Sequence, residues 1–537
     1  MPLALQCPYS ARGSFTELLH RLSILQYLDD VIFGAATARE SLADAHMLIN
    51  VLRRFGWLIH PTKCVGTSIA VQAFQALGTW VDLQSQTYSV PPATMHRILQ
   101  AAAALATGPV TAPVRTVARL KGLISSTWVS TGIATRIRTR ALAAVVDSRP
   151  PALGTSRAAV RRSWNALVFI TAAACEEAQW WILHLPSLAS SPIRPRPFDE
   201  SVDGDIASDA SDTGVGAFVM TRHGAVEASS FLRALATRAP AVLSLRALAD
   251  YARRGLEFMC PLPLSLLDAS STLRELWGIA AFIAAVGPLL AGGRFRVFLD
   301  NLGCVFILGG VVPSFAVGGK VWGEFVSGGS PDPALQRLAV EIFDAQLRHG
   351  FTLQAVWRPR ELNVRADYLS RVSAMLQHDY CLLPSLFRWL DERWGPYTID
   401  RFASVDTCQP LAPPNSGRFC SQFFHPAAAW VDAFSLPWAG ETNWLFPPVP
   451  YIAQTVAHLR ASRALGTLVA PFAPWAPWLS CLRRGRNWAP WVTGVLRLGS
   501  PRSCLRIPPG AHSLFRGCEL IAVRLDGRLP APPLGSP

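Results

Sequence analysis

Asp209, Glu275, Asp300 and Asp367 stand 66, 25 and 67 residues apart in a chain where only 16% of residues are charged. Each falls where a backbone element would hold it. Asp209 closes the strand-like run IASDAS, Glu275 lies on the apolar helix of STLRELWGIAAF, Asp300 ends FRVFLDN, and Asp367 falls in WRPRELNVRADYLSR. Three or four carboxylates brought to one point can hold two divalent ions about 4 Å apart, which activate an attacking oxygen and stabilise a leaving one. Hard oxygen ligands that retain waters suit Mg²⁺, or Mn²⁺. Taken singly, each acid could equally be a solvated turn or a cap. Asp205 and Asp212 compete with Asp209, which is preferred because it ends the strand pattern. The small residues and glycines after it leave room for a substrate backbone to approach.

A second acidic pair, Asp29 and Asp30, sits inside ILQYLDDVIF. There the strand pattern turns, which predicts a hairpin with acid at its tip. The helical stretch ARESLADAHMLINVLRRFGW follows, then short strands around QAFQALGTWVDL, then a helical region rich in Ala and Arg. The polar, Pro-rich stretch 187–204 reads as a linker. Beyond it the pattern changes to strands with glycine turns, alternating with helices to about residue 371. Residues 380–482 are rich in Trp and Pro, and 483–537, rich in Arg, Pro and Gly, are expected to be poorly ordered. The fold class is multidomain, α+β and α/β.

Composition bounds the partners. Formal net charge is +14, which favours an acidic partner such as nucleic acid. Only three of the 50 basic residues are lysine (Lys63, Lys121, Lys320), so codon bias discounts any single arginine. The 11 cysteines are scattered without a CxxC pair, which argues against a disulfide scaffold or zinc ribbon and for a reducing compartment. No charged-then-apolar leader opens the chain. Residues 276–293 carry no charge over 18 positions. They read as a buried helix, with a membrane span as the alternative. Trp and Arg interleave in APWAPWLSCLRRGRNWAP (473–490), where they could stack on bases and contact phosphates or simply pack the tail.

The quoted motifs SDASDTGVGA, RELWGIAA, VFLDNLG and PRELNVRADYLSR resemble, in order, the ribonuclease H domain of retroelement polyproteins. That resemblance implies an α/β domain over 205–372, a two-metal site of Asp209, Glu275, Asp300 and Asp367, and contacts to nucleic acid from Arg360 and Asn363. YLDD resembles the polymerase motif of reverse transcriptases. HPTKC and FQALGTWVD resemble its lysine-bearing segment and primer-gripping hairpin. Asp29 and Asp30 would then bind metal, and Tyr27, Lys63 and Gly78 would contact nucleotide or nucleic acid. On this reading 1–92 is a partial palm and 93–186 the helical thumb and connection, similar to the DIRS-type branch of retrotransposons. Residues 380–482 resemble that branch's methyltransferase-like region, implying a degenerate Rossmann-like tail. Its Phe446-Pro447-Pro448-Val449 lacks the polar and stacking residues that methyl transfer needs.

The implied function is that of a retrotransposon-derived RNA-directed DNA polymerase/ribonuclease H fragment, cytoplasmic and nuclear, acting on RNA–DNA hybrid, DNA and RNA with Mg²⁺ or Mn²⁺. Other retroelement products are possible partners, and no membrane is expected. No aspartate precedes YLDD to supply a third polymerase carboxylate, so an N-terminally truncated polymerase half is expected. The alternative is a non-catalytic nucleic-acid-binding remnant.

Overall fold

The computed structural model describes residues 23–27, 30–60, 64–193, 202–221, 256–311, 328–376, 380–485, 487–506 and 518–529. They fall into two compact units, Met1–Arg196 and Pro197–Pro537.

In the first unit the expected hairpin is present. Strands Ser23–Tyr27 and Asp30–Gly34 pair antiparallel with Tyr27 opposite Asp30. Helix Ala38–Arg54 follows, opened by a capping box in which Thr37 Oγ1 accepts from Glu40 N and Glu40 accepts from Thr37 N. A second hairpin, Ala73–Ala76 with Thr79–Asp82, turns through Leu77 and Gly78 at φ +48° and +79°. Two successive positive φ values suit the twist of a two-residue hairpin, and glycine takes the second without strain.

Strands Thr87–Ser89 and Ser190–Pro192 complete a four-stranded antiparallel sheet. The start of the expected linker is therefore ordered. Helix Ala172–Leu188 runs into it, and Ser190–Pro192 pairs with a strand far upstream, which local composition does not signal. The Ala- and Arg-rich region is helical as expected, packed around Ile98, Leu120, Ile124, Leu142 and Trp181. Buried Glu177 accepts from Ala141 N and Leu142 N at 3.0 and 2.9 Å, closing the start of helix Arg140–Asp147.

The second unit holds two five-stranded sheets. The first is built from β1 (Gly204–Ala210), β2 (Gly214–Thr221), β3 (Leu256–Pro261), β4 (Arg294–Leu299) and β5 (Thr352–Trp357), in the order β3-β2-β1-β4-β5. β3, β2 and β1 are antiparallel, whereas β1, β4 and β5 run parallel. Helices α1 (Ser271–Val286), α2 (Leu302–Ile307), α3 (Pro333–His349) and α4 (Val364–Leu376) accompany it. Leu276, Ile279 and Phe282 of α1 join Ile206, Val219, Phe295 and Val297 of the sheet in one core. Among the described residues, Ser271–Leu289 is the one stretch long and apolar enough to cross a membrane. In this fold it is a core helix.

α4 lies directly on β2 at Gly216. A Cβ there would fall 2.3 Å from Ser370 N and 2.5 Å from Ala366 O. The room that glycine provides after Asp209 is thus filled by α4 at this position, a correction to its expected use by substrate. Backbone atoms cannot swing aside as a flexible side chain can. Gly216→Ala is expected to destabilise the protein by about 1–3 kcal/mol, read as a lower urea midpoint with unchanged slope. An unchanged midpoint would show that α4 can lift away without cost.

The second sheet contains β6 (Ile399–Asp400), β7 (Thr442–Leu445), β8 (Leu465–Phe472), β9 (Val492–Gly499) and β10 (Glu519–Asp526), ordered β6-β7-β8-β10-β9. The first three are parallel, and β10 is antiparallel to both β8 and β9. Trp438, Trp444, Tyr397 and Phe387 are fully buried around it. The expectation that 483–537 is poorly ordered is corrected here. β10 lies between β8 and β9 with Leu520, Ile521, Ala522 and Val523 buried. A strand buried on both faces reads as a short apolar run, and its Arg-, Pro- and Gly-rich surroundings masked it.

Candidate active site

β1 delivers Asp209 at its C-terminal end, β4 delivers Asp300 just past its own, and α1 brings Glu275 across from the core. A cleft of about 310 Å³ is lined by Asp209, Glu275 and Asp300, with Asp212, Arg274, Arg360 and Arg371 also on its wall. Parallel β1 and β4 end together, so two strand-end acids far apart in sequence become neighbours. α1 approaches closely because it carries Gly278, where a Cβ would fall 2.6 Å from Val215 of β2.

The carboxylates perturb one another. Burial pushes Glu275 up to about 8, and the Asp300 charge adds to that, against a hydrogen bond from Asn301. Burial also raises Asp209, with Asp300 and Asp367 pushing the same way and the Ser370 hydroxyl opposing. Glu275 Oε2 and Asp300 Oδ1 are buried and have no hydrogen-bond partner. A buried carboxylate oxygen without a donor is costly, so these two atoms point to a cation as their complement.

Asp367 is placed differently. Its carboxylate takes two bonds from Arg371, Nε to Oδ2 at 2.9 Å and Nη2 to Oδ1 at 2.8 Å, and Arg360 Nη2 stands 3.4 Å from Oδ1. The Arg371 hydrogen bonds hold Asp367 below the usual carboxylate range. Among the described residues no group of three or more His, Cys, Asp and Glu forms a ready-made metal site. The fourth acid being tied to arginine, and the first two resisting ionisation, account for that. Glu275, Asp300 and Asp209 fit a divalent cation by their chemistry, and Asp367 would need to leave Arg371 to join them.

The competing acids are engaged elsewhere. Asp205 pairs with Arg296 at 2.9 and 3.0 Å, and exposed Asp212 pairs with Arg274. Arg360 lies on the cleft wall as expected, with its side chain 66% exposed. Asn363 does not reach the surface. It is buried and donates Nδ2 to Ser208 O at 3.0 Å, pinning the start of α4 to β1, so its expected contact with nucleic acid is replaced by a structural one. Gly78 sits in the exposed hairpin turn of the first unit. Asp29 and Lys63 lie outside the described residues, and for Tyr27 and Asp30 only the backbone pairing is described.

Two residues without an assigned role in the sequence reading hold the site. Asn301 donates to Glu275 Oε1 at 3.3 Å while its Oδ1 accepts from Cys304 N to cap α2. Ser370, fully buried, has its Oγ 2.8 Å from both Asp209 Oδ2 and Asp367 O, so one hydroxyl bridges two elements. Their signals lay in the quoted motifs, as the Asn after Asp300 and the Ser of LSR. Trp357 Nε1 donates to Asp300 O at 3.0 Å and fixes the end of β4.

No family model and no curated protein matches the chain. Solved structures do. A foamy viral protease–reverse transcriptase in complex with an RNA/DNA hybrid is similar over 66% of this chain and 38% of its own, at 11% identity and a TM-score of 0.27. A ribonuclease H from the halophilic archaeon Halobacterium salinarum is similar over 32% of this chain and 97% of its own, at 14% identity and a TM-score of 0.20. The N-terminal ribonuclease H domain of a Mycobacterium tuberculosis protein, as a fusion with maltose-binding protein, is similar over 33% of this chain and 98% of its own, at 19% identity and a TM-score of 0.20. The chain thus spans well under half the length of the foamy viral protein. Scores this low carry no argument, and the functional reading rests on the residues.

Proposed function

We propose that this is a nucleic-acid-processing protein of retroelement origin, similar to the DIRS type, whose second unit cleaves the RNA strand of RNA–DNA hybrids with Mg²⁺ or Mn²⁺. The carrying observation is the cleft that gathers Asp209, Glu275 and Asp300 with two buried, unpartnered carboxylate oxygens. Glu275, Asp300 and Asp209 would hold the metal, with Asp367 completing the set. Bound divalent metal supplies an activated water and charge neutralisation at the scissile phosphate. The chain's own residues do the rest. Ser370 and Asn301 hold two of the carboxylates in place, and Arg274, Arg360 and Arg371 line the cleft where a phosphate backbone would run. The first unit, with Asp29, Asp30, Tyr27, Lys63 and Gly78, is read as the later part of a reverse-transcriptase palm on its sequence motifs alone.

One observation favours the alternative, a non-catalytic nucleic-acid-binding remnant: the two-pronged hold of Arg371 on Asp367. The two readings separate in one assay. Purified chain with Mg²⁺ is expected to cut an end-labelled RNA–DNA hybrid internally and to leave the RNA duplex intact. A hybrid that is bound in a salt-dependent way but stays uncut with both Mg²⁺ and Mn²⁺ would support the remnant.

A further inference from the structure

The Trp- and Arg-rich stretch is not absorbed by the cleavage site. It lines a separate cavity of about 450 Å³ in the C-terminal part of the second unit, between helix Ile452–Ala461 and the segment 480–491. Its wall carries Arg460, Arg483, Asn487, Trp488 and Trp491, and no carboxylate is among the lining residues. The cations and rings alternate. The Arg460 guanidinium lies 3.8 Å from the Trp491 ring centre, and that of Arg483 lies 5.8 Å from Trp488.

Two donors in this wall, Arg483 Nε and Trp491 Nε1, are buried without an acceptor. Each is a group that folding normally pairs, so the cavity lacks acceptors and negative charge. Both indoles are half-buried, each packed on the core from one side and open to the cavity on another. A ligand with a flat π-face, carbonyl or ring-nitrogen acceptors and an anionic group meets all of these requirements. Unpaired nucleotides have that chemistry. In a duplex the base faces are already stacked on one another, so aromatic side chains select the single strand. Tryptophans elsewhere in the same stretch behave otherwise: Trp478 is core, and Trp475 is 77% exposed and does not line the cavity. The plain packing reading therefore holds for part of the motif only.

We propose that this cavity binds single-stranded nucleic acid, with bases against Trp488 and Trp491 and phosphate on Arg460 and Arg483. The site is independent of the cleavage reading, since no residue is shared with the acidic cleft.

The test uses the full chain in EDTA, so that no strand is cut, with fluorescent 12-nucleotide oligo(U) and oligo(dT) followed by anisotropy. R460Q/R483Q is expected to weaken binding of at least one strand by about 10-fold and to reduce the salt slope by about two, one for each lost phosphate contact. Affinity for an RNA–DNA hybrid, which has no free base faces, is expected to stay within two-fold. Thio-substituted versions of the same oligonucleotides provide a readout on the unmodified protein: photocrosslinks should map to the peptides carrying Trp488 or Trp491. Loss with RNA only or DNA only supports the proposal and fixes the sugar. Crosslinks confined to residues outside 453–491, or a folded double variant that binds both strands as tightly as wild type, would overturn it. If hybrid cleavage fails while these crosslinks form, the cleavage reading falls and this one stands.

Discussion

Asp209→Asn is expected to lower Mg²⁺-dependent cleavage of an RNA–DNA hybrid by at least about 10³-fold, roughly 4 kcal/mol in the barrier. Hybrid affinity should change by less than about two-fold. The substitution is nearly isosteric and keeps an oxygen that can accept from Ser370 Oγ, so β1 and α4 stay joined. What it removes is one negative charge from the cleft wall. Binding of a polyanion does not need that charge, whereas holding a divalent cation beside a phosphate does. Asp205→Asn and Asp212→Asn serve as controls, because their partners Arg296 and Arg274 make them surface and sheet-edge ion pairs. Their cleavage rates should remain within a few-fold of wild type. Retained cleavage in Asp209→Asn, together with a loss in Asp212→Asn, would mean that the strand-end assignment is off by one turn.

The second large effect is on stability against pH. In the folded protein Glu275 keeps its proton to about pH 8, whereas its ordinary value is 4.5. Between these values the native state binds more protons than the unfolded one, so the contribution is complete below about pH 4.5 and is lost as pH rises to about 8. Asp209, raised by burial, acts in the same direction. Asp367 acts oppositely, since Arg371 lowers it. Its contribution is present at neutral pH and disappears only on acidification. In EDTA the Tm should therefore fall between pH 5 and pH 8, by an amount equivalent to a few kcal/mol. Mg²⁺ should oppose the fall, because it favours the ionised carboxylates, and its affinity should rise across the same window. Glu275→Gln cannot ionise and should lose most of this slope. A wild-type Tm that is flat from pH 5 to pH 8 in EDTA would remove Glu275 from the buried cluster.

These two experiments depend on different levels of the protein. The acids themselves were readable in the chain because a strand end, an apolar helix and a helix start each have a local pattern, and an acid stands out in residues so poor in charge. The hairpin at YLDD and the one at Leu77-Gly78 were legible for the same reason, since alternation and turn residues are short-range signals. The tail was not. Glu519–Asp526 became the strand between β8 and β9 through partners more than twenty residues away on either side, and nothing within the segment itself reports them. Asn363 shows a related failure. Its place in a motif suggested contact with nucleic acid, but only packing revealed that its amide is used to hold Ser208.

By itself, then, the sequence determined which carboxylates were available, on which kinds of element, and that the protein's partners carry negative charge. Tertiary structure decided which of them meet. The parallel pairing of β1 with β4 and the close approach of α1 at Gly278 bring Asp209, Asp300 and Glu275 to one cleft, while the α4 arginine Arg371 draws Asp367 aside. The physical reason is that charge and element type are set residue by residue. Burial, repulsion between like charges and the choice of partner exist only once distant segments are packed together.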